Sequence, residues 1–326
     1  MTARRVDADV SVIVAAYQAA GTIGRTLLSI SAQTLKPREV MVVDDGSTDD
    51  TAAIAEAFAA RMSGIRLRVF GNERNLGAGA ARNRAIREST QPFLAFLDAD
   101  DEWLPEKLAR SMARLEGSGL ALVAHDYVIG NGDDAPRTDC ARRFREGADP
   151  YVQLYRRGYI ASCSVVARRE AVLAAGGFDE SLRNAQDFDL WLAMLREPRA
   201  TFEVFGEALL RYHPTPGGIM SHTARRVECA MLIARRYFPD LKTRPGSALL
   251  SLWFRVAAIY MEAFSAYMNR GSLGQSLICA CALPIQLMTA TLACLVGPPS
   301  PRGLFLDGQA VGVDGGSSHP RRDRAR

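Results

Sequence analysis

Short apolar runs alternate with stretches of helical periodicity over the first hundred residues, and this rhythm constrains the fold more than any other feature. Residues 10–16, 40–43 and 93–97 are apolar runs of strand length. After the first run, Ile23 and Leu27 stand four positions apart, as on one face of a helix. Strands that alternate with helices form mainly parallel sheets with helices packed on them. The sequence therefore predicts an α/β fold.

Acidic residues follow two of these predicted strands. Asp44 and Asp45 come directly after the second apolar run, and Asp98 and Asp100 come directly after the third. In open α/β sheets, ligands bind in the crevice beyond the carboxyl ends of the strands. Asp44 is placed to accept hydrogen bonds from a base or a ribose, although a turn or helix-capping role explains this pair as well.

Asp98 and Asp100 have a spacing that suits a metal ion. In an extended backbone, side chains two positions apart point to the same side, so these two carboxylates could bracket one hard cation. Carboxylate oxygens suit Mg²⁺ or Mn²⁺, and an ion held by few carboxylates completes its shell with water and substrate phosphates. The alternative is a solvated acidic loop before a helix that starts near Pro105.

Three further side chains are candidates for a site, and each has a structural alternative. Asp187 begins an amphipathic helix and is placed to act as a general base, or else it favours the helix dipole. Arg82 lies near the start of another helix and could pair with a phosphate of a nucleotide, or it is a surface arginine. His213 precedes a segment rich in proline and glycine and is either a ligand or a solvated histidine.

Composition argues against one broad class of function. The formal net charge is +4, and Lys and Arg are spread along the chain, so we expect no nucleic-acid binding. The six cysteines show neither a CxxC pair nor zinc-ligand spacing, and the N-terminus has no apolar secretory segment. We therefore expect reduced thiols and a cytoplasmic protein.

Taken together and in this order, the motifs resemble those of the family 2 glycosyltransferases with the GT-A fold. The match runs from about residue 10 to residue 221, roughly two thirds of the chain. The blocks that carry it are VSVIVAAY at 10–17, VVDDGSTD at 42–49, NLG at 75–77, ARN at 81–83, FLDADD at 96–101, GGFD at 176–179 and QDFDLW at 186–191.

The resemblance implies positions for the nucleotide and its diphosphate. Ala16, Tyr17 and Asp44 are expected to hold the nucleotide, with Asp44 near the base. Asp98 and Asp100 are expected to bind the diphosphate through Mg²⁺ or Mn²⁺. The donor would then be a sugar linked to UDP, GDP or dTDP.

The resemblance also implies an inverting displacement in which Asp187 removes the proton of the acceptor hydroxyl. In-line attack needs a base on one face of the sugar and charge stabilisation of the leaving diphosphate on the other. The segment after His213 resembles the family's mobile loop, so His213 is expected to touch the diphosphate or the metal ion. Glycan, lipid-linked and protein acceptors all fit, in bacterial polysaccharide or glycolipid assembly.

Two positions depart from the family pattern. Ala15 stands where the family commonly has proline, which should alter the rigidity of the strand end more than the chemistry. Gln186 stands where glutamate is common, so one negative charge beside the candidate base is missing. Because a nearby carboxylate raises the pKa of a base, its loss should leave Asp187 a slightly weaker base.

Two other classes of function compete with this interpretation. A sugar nucleotidyltransferase would carry a glycine-rich loop with Arg and Lys after the first strand, and residues 16–20 offer none. A catalytically silent protein that binds nucleotide sugars, or a scaffold on the same fold, is compatible with Gln186. Retention of Asp98, Asp100 and Asp187 argues against such a silent protein.

The expected domain organisation follows from where the motifs stop. The GT-A domain is predicted to cover residues 1–222, with a nucleotide half at about 8–118 and an acceptor half at about 119–222. A helical C-terminal region is predicted at 223–316, followed by a disordered basic tail at 317–326.

The C-terminal region raises a membrane question. Residues 271–301 contain no charged side chain. A single crossing would separate the nucleotide-sugar site from the basic tail, yet both are expected in the cytosol. Pro284 weakens a spanning helix, and Arg255 and Glu262 interrupt a second one. We therefore expect packed helices in peripheral contact with the inner face of the membrane, with insertion as the alternative.

Overall fold

One mixed β-sheet forms the centre of the molecule. The computed structural model describes residues 7–132, 134–145, 147, 149–158, 160–197, 199–215, 222–297 and 301–302. In these residues the sheet has nine strands. The strands are β1 (Asp7–Ala16), β2 (Lys36–Asp44), β3 (Arg66–Gly71), β4 (Phe93–Phe96), β5 (Glu102–Trp103), β6 (Leu120–Ile129), β7 (Arg137–Thr138), β8 (Val166–Arg168) and β9 (Thr201–Tyr212).

Helices connect and flank these strands. They are α1 (Ile23–Ser31), α2 (Thr51–Ala57), α3 (Ala78–Glu88), α4 (Lys107–Leu115), α5 (Cys140–Arg145), α6 (Pro150–Arg157), α7 (Arg169–Ala174), α8 (Gln186–Leu195), α9 (Thr223–Leu241), α10 (Ala248–Asn269) and α11 (Leu273–Val296). Two short 3₁₀ turns lie at Phe58–Arg61 and Ser162–Ser164.

The strand order is β3-β2-β1-β4-β8-β6-β9-β5, and β7 pairs with β6. The first four strands of this order are parallel, which confirms the sheet predicted from the alternating pattern. From β8 onward the pairing is mixed, because β8 runs antiparallel to both β4 and β6. Parallel strands end at the same edge of a sheet, so the acidic residues after β2 and β4 lie at one edge.

Two hydrophobic cores lie on opposite faces of the sheet. Along β1, Val12 and Val14 belong to one core, and Ile13 belongs to the other. This alternation follows from the two-residue period of a strand. Each such fully buried aliphatic side chain contributes about 1.5–3 kcal/mol relative to an exposed one. The fold is therefore anchored by strands that are apolar on both faces, as buried parallel strands must be.

The three C-terminal helices differ in how they are buried. Helix α9 is packed into the core through side chains such as Ile233 and Tyr237. Helices α10 and α11 are each long and apolar enough to cross a membrane, and most of α11 is exposed. Helix α11 continues through Pro284. The predicted tail at 317–326 lies outside the described residues.

Candidate active site

The ends of β1 and β2 form the floor of the candidate site. Ala16 and Asp44 are paired across the two strands, and the amide of Asp45 donates a hydrogen bond of 2.8 Å to the carbonyl oxygen of Ala16. Tyr17 follows directly, and its side chain is 51% exposed. The three residues expected to hold a nucleotide, Ala16, Tyr17 and Asp44, therefore lie next to one another.

The two carboxylates after β2 have different environments. Asp44 accepts hydrogen bonds from the backbone amide and the hydroxyl of Ser47, as in a tight turn. Asp45 is buried and accepts from the amide of Asn72 at 2.7 Å and from the backbone amide of Gly77 at 2.7 Å. Asp45 therefore fixes the loop that leads into α3, and Asp44 combines a turn role with a position at the edge of the sheet.

The turn after β2 requires glycine and is tied to the end of β1. Gly46 has a φ of 76°, and a Cβ there would lie 2.6 Å from the carbonyl carbon of Arg74. The backbone amide of Gln18 donates to the Ser47 hydroxyl at 2.9 Å, and its side chain donates to Thr48 at 2.8 Å. These contacts hold the two loops of the floor together.

The acidic residues after β4 adopt a tight turn. The amide of Asp101 donates to the carbonyl oxygen of Asp98 at 3.2 Å, so the extended backbone expected here is wrong. The Asp98 side chain is 33% exposed, and it pairs with Arg82 at 2.5 Å. The Asp100 carboxylate accepts a hydrogen bond of 2.5 Å from Thr215. Each of the two carboxylates therefore already has a partner within the chain.

Arg82 links α3 to this turn and is not a surface residue. Its side chain is nearly buried, and the guanidinium lies over the ring of Phe178 at 5.3 Å from the ring centre. A guanidinium over an aromatic face is attracted by the negative face of the ring. Arg82 is thus held in place to neutralise Asp98, and an incoming phosphate would meet the same cation.

Asp187 lies in the first turn of α8, close to the pair formed by Arg82 and Asp98. The backbone amide of Phe188 donates to its carboxylate at 2.8 Å. Burial raises the pKa of Asp187, the positive charge of Arg82 offsets part of that rise, and the negative charge of Asp98 adds to it. A carboxylate with a raised pKa is better suited to accept a proton than an exposed one.

Gln186 has a packing role between two helices. Its side-chain amide donates to the carbonyl oxygen of Leu182 at 2.6 Å. The same amide lies against α3, where a Cβ at Gly79 would come within 2.7 Å of its nitrogen. The residue that departs from the family pattern therefore fills space at the contact of α8 with α3.

Asp101 is an acidic residue whose place in the site was not predicted. It is fully buried, and burial, followed by the charge of Asp98, raises its pKa to about 8. One ligand atom each of Asp98, Asp101 and Cys163 lie within 4.8 Å of one another. The sequence pointed to Asp101 only through its place as the third acid of the Asp-Ala-Asp-Asp run. Nothing in the sequence places Cys163 beside it.

His213 approaches the acidic turn through its backbone, and its ring contacts another residue. Its backbone amide donates to Asp101 at 2.9 Å. The ring nitrogen Nε2 lies 2.7 Å from the carboxylate of Glu102, and the side chain is 13% exposed. The expected mobile loop falls mostly on residues 216–221, which lie outside the described residues.

The structure brings most of the candidate residues to one edge of the sheet. The ion pair joins Arg82 to Asp98, and Asp187 responds to the charges of both. Burial raises the pKa of Asp100, and the negative charge of Asp98 adds to that rise. His213 is the exception, because its ring is directed to Glu102.

Comparisons with known proteins bear on the family and the fold of this chain. The amylovoran biosynthesis glycosyltransferase AmsB of Erwinia amylovora is 28% identical over 248 residues, covering 73% of this chain and 80% of that protein. Staphylococcus aureus TarS, solved with UDP-GlcNAc, has a TM-score of 0.64 at 19% identity and 88% coverage of both chains. The mannosyltransferase PcManGT of Pyrobaculum calidifontis, solved with GDP-Man and Mn²⁺, has a TM-score of 0.59 at 20% identity, with 88% and 87% coverage.

The two solved structures confirm the predicted fold, a sheet of the GT-A type flanked by helices and followed by a helical C-terminal segment. The family model described as glycosyl transferase family 2 matches residues 11–173, which include both acidic turns and Arg82. With AmsB as a relative that acts in biosynthesis, the family match also confirms a catalytic function. This chain belongs to glycosyl transferase family 2 and is a glycosyltransferase.

Proposed function

We propose that this chain transfers one sugar, with inversion at the anomeric carbon, from a nucleotide-diphosphate sugar to an acceptor hydroxyl in bacterial polysaccharide or glycolipid assembly. The observation that carries the proposal is the placement of Asp187 beside the pair of Arg82 and Asp98. A base and an anion-stabilising group on either side of one reacting carbon are what an in-line displacement needs.

The nucleotide would lie over the ends of β1 and β2. Tyr17 offers an exposed aromatic ring there, and Asp44 offers carboxylate oxygens to a base or ribose. The loop tied together by Gln18 and Ser47 gives this floor a defined shape. A rigid floor lowers the entropy lost when a flexible donor is bound.

The acidic turn fits a hard divalent cation. Asp98 and Asp100 supply carboxylate oxygens, which Mg²⁺ and Mn²⁺ prefer, and both side chains are partly exposed. Burial and the charge of Asp98 raise the pKa of Asp100, so the turn carries negative charge that a cation would relieve. When bound, such an ion would neutralise the leaving diphosphate. PcManGT, of the same fold, was solved with Mn²⁺.

Two cationic or ionisable side chains would rearrange when the donor binds. Arg82 pairs with Asp98, so it would share its guanidinium between that carboxylate and a donor phosphate. His213 would exchange its contact with Glu102 for the diphosphate or the ion. Both side chains already border the turn.

Asp187 would take the proton from the acceptor hydroxyl. Its carboxylate is held by the amide of Phe188, which leaves oxygen lone pairs for the acceptor. Proton removal as the hydroxyl attacks makes the oxygen a better nucleophile, while the diphosphate leaves from the opposite face.

The apolar C-terminal helices support an acceptor held at the membrane. All but three of the exposed large apolar side chains in the described residues lie on α10 or α11. Exposed apolar surface of this extent marks a partner or a membrane. At the border of this apolar surface, Arg156 and Arg157 lie over the ring of Phe254. Cations at such a border suit anionic lipid head groups. We propose peripheral contact with the inner face of the membrane and a lipid-linked acceptor.

The first experiment is calorimetric titration of UDP, GDP and dTDP into the purified chain, with and without Mn²⁺. One diphosphate should bind, and it should bind more tightly with the ion. Asp100→Ala should remove the effect of the ion, because it takes away a ligand. Asp50→Ala, at an exposed carboxylate at the start of α2, is the matched control and should bind as the unmodified chain does.

Two outcomes of the titration would contradict the proposal in whole or in part. If none of the three diphosphates binds under either condition, a donor site at this edge is ruled out. If one binds with equal affinity with and without Mn²⁺, the nucleotide assignment stands and the metal assignment fails.

A further inference from the structure

A buried ionic cluster joins the helix of the candidate base to the far end of the described chain. Asp189 lies on α8, two residues after Asp187, and its side chain is fully buried. Its carboxylate accepts from Arg236 at 2.6 Å and from Arg302 at 2.8 Å. Arg302 lies beyond the end of α11, more than a hundred residues from α8.

Arg302 also binds the turn that precedes α8. One of its nitrogens donates to the carbonyl oxygen of Gly177 at 2.8 Å, and another donates to that of Ala175. The next residue is Phe178, whose ring lies under the guanidinium of Arg82. One side chain from the C-terminal segment thus binds both elements that border the candidate base and its neighbouring arginine.

Arg302 brings a second guanidinium to two buried carboxylates. Asp179 and Asp189 are both fully buried, and Arg236 donates to both of them. Without Arg302, Asp189 would lose one of the two guanidinium groups that pair with it among the described residues. Removing one partner from a buried ion pair is costly because it leaves a charge without compensation.

We propose that Arg302 is a positioning residue for the transfer reaction, which acts by fixing α8 and the turn at 175–178 relative to each other. Asp187 and Arg82 depend on these two elements for their places, so a looser contact would misalign both of them. The inference rests on the proposed function, because it takes Asp187 as the base. A small misplacement of reacting groups can lower a rate by roughly a hundredfold.

The test compares the full-length chain with Arg302→Ala, Arg302→Lys and the control Arg270→Ala. Arg270 lies between α10 and α11 and contacts Thr223, away from α8. Steady-state kinetics should show that Arg302→Ala lowers kcat roughly tenfold or more, with the donor KM within about twofold. Arg302→Lys should restore part of kcat, and Arg270→Ala should match the unmodified chain.

Amide hydrogen exchange supplies a readout that does not need activity. Exchange in residues 175–190 should rise in Arg302→Ala and stay unchanged in β1 and β2. An unchanged kcat well below the unfolding temperature would overturn the proposal, and so would exchange that rises evenly over the whole chain. If Arg302→Ala does not fold, the same comparison is made with Arg302→Lys, which keeps the charge but loses the paired donors.

The two hypotheses fail in different ways. If the unmodified chain transfers no sugar from any donor, the proposed function fails, and exchange still tests the contact made by Arg302. If the chain is active and Arg302→Ala behaves like the unmodified protein, the positioning role alone is wrong.

Discussion

At Asp187, burial and charge act in opposite directions on the pKa. Withdrawal from water disfavours the charged form, whereas the guanidinium of Arg82 favours it. The pKa is raised on balance, because the effect of burial is the larger. The carboxylate is therefore a stronger base than an exposed aspartate.

Replacement of Asp187 by asparagine tests its role most directly. Asn keeps the size and one acceptor oxygen but cannot take a proton. We expect kcat to fall by roughly 10²- to 10⁴-fold, the usual contribution of a general base. Calorimetry should show unchanged nucleotide affinity, because the proposed nucleotide site lies over β1 and β2. Activity within a few-fold of the unmodified chain would assign the base to another residue.

The pH dependence of kcat follows from the same pKa. Asp187 acts only when it is unprotonated, so kcat should fall as the pH falls through its pKa. Because that pKa is raised above the ordinary value of 3.8, the loss should begin at a higher pH than for a free aspartate. Rates measured between about pH 4 and about pH 8 check this. An acidic midpoint at or below the ordinary value would contradict it.

At the scale of elements, the turn after β2 decides whether the floor of the site forms. Asp45 binds the loop that leads into α3, and Gly46 allows that loop to pass close to the turn. The turn thus joins three elements, β1, β2 and α3, at one edge of the sheet.

Gly46→Ala should therefore cost more than the backbone strain alone. Gly64 has the same φ of 76° but nothing within 4 Å of a Cβ, so Gly64→Ala is the matched control. We expect Gly64→Ala to lower the free energy of unfolding by about 1–2 kcal/mol, the cost of a left-handed residue. Gly46→Ala should lower it further and weaken nucleotide binding, as urea unfolding and calorimetry would show. Equal effects of the two substitutions would contradict the close contact with Arg74.

Elements that lie in the interior were predictable from the sequence. The predicted runs at 10–16 and 40–43 lie within β1 and β2, and the run at 93–97 extends one residue beyond β4, because apolar periodicity reports burial. The carboxylates at strand ends were predictable for a related reason, since parallel strands end at one edge. The family match rests on the same segments.

Contacts between distant parts of the chain were not predictable. Cys163 meets Asp98 and Asp101 only because β8 pairs with β4 in an antiparallel register. Arg302 reaches Asp189 across more than a hundred residues. Neither leaves a local pattern, because periodicity and turn chemistry describe neighbours in sequence only. The turn at Asp98 was not predictable either, because the spacing of two carboxylates in the sequence does not determine the φ and ψ angles between them.

For the molecule as a whole, the hairpin of α10 and α11 carries most of the exposed large apolar side chains of the described residues. Trp253 on α10 donates to Thr291 on α11 at 3.0 Å, so the two helices hold each other. Their outward faces are largely apolar, with Glu262 as an exposed charge on α10, and residues 271–297 carry no charge. A helix with a broad apolar surface is stable when that surface is covered.

Two matched substitutions test contact with a membrane. Leu292 on α11 and Leu28 on α1 are each 56% exposed. Leu292→Glu should reduce binding of the chain to vesicles that contain anionic lipids, because a charge must then enter the interface, whereas Leu28→Glu should leave binding unchanged. Vesicle flotation measures both. Loss of self-association in Leu292→Glu, without any binding of the unmodified chain to vesicles, would show that a second copy covers the helix.

The apolar hairpin also changes how substrates would meet. A chain resting on a bilayer searches for a lipid-linked acceptor by diffusion in two dimensions, while its water-soluble donor arrives in three. Confinement raises the effective concentration of the acceptor without any added contact in the site. The same site would then be saturated by an acceptor that is scarce in the cell, and the supply of donor would set the rate.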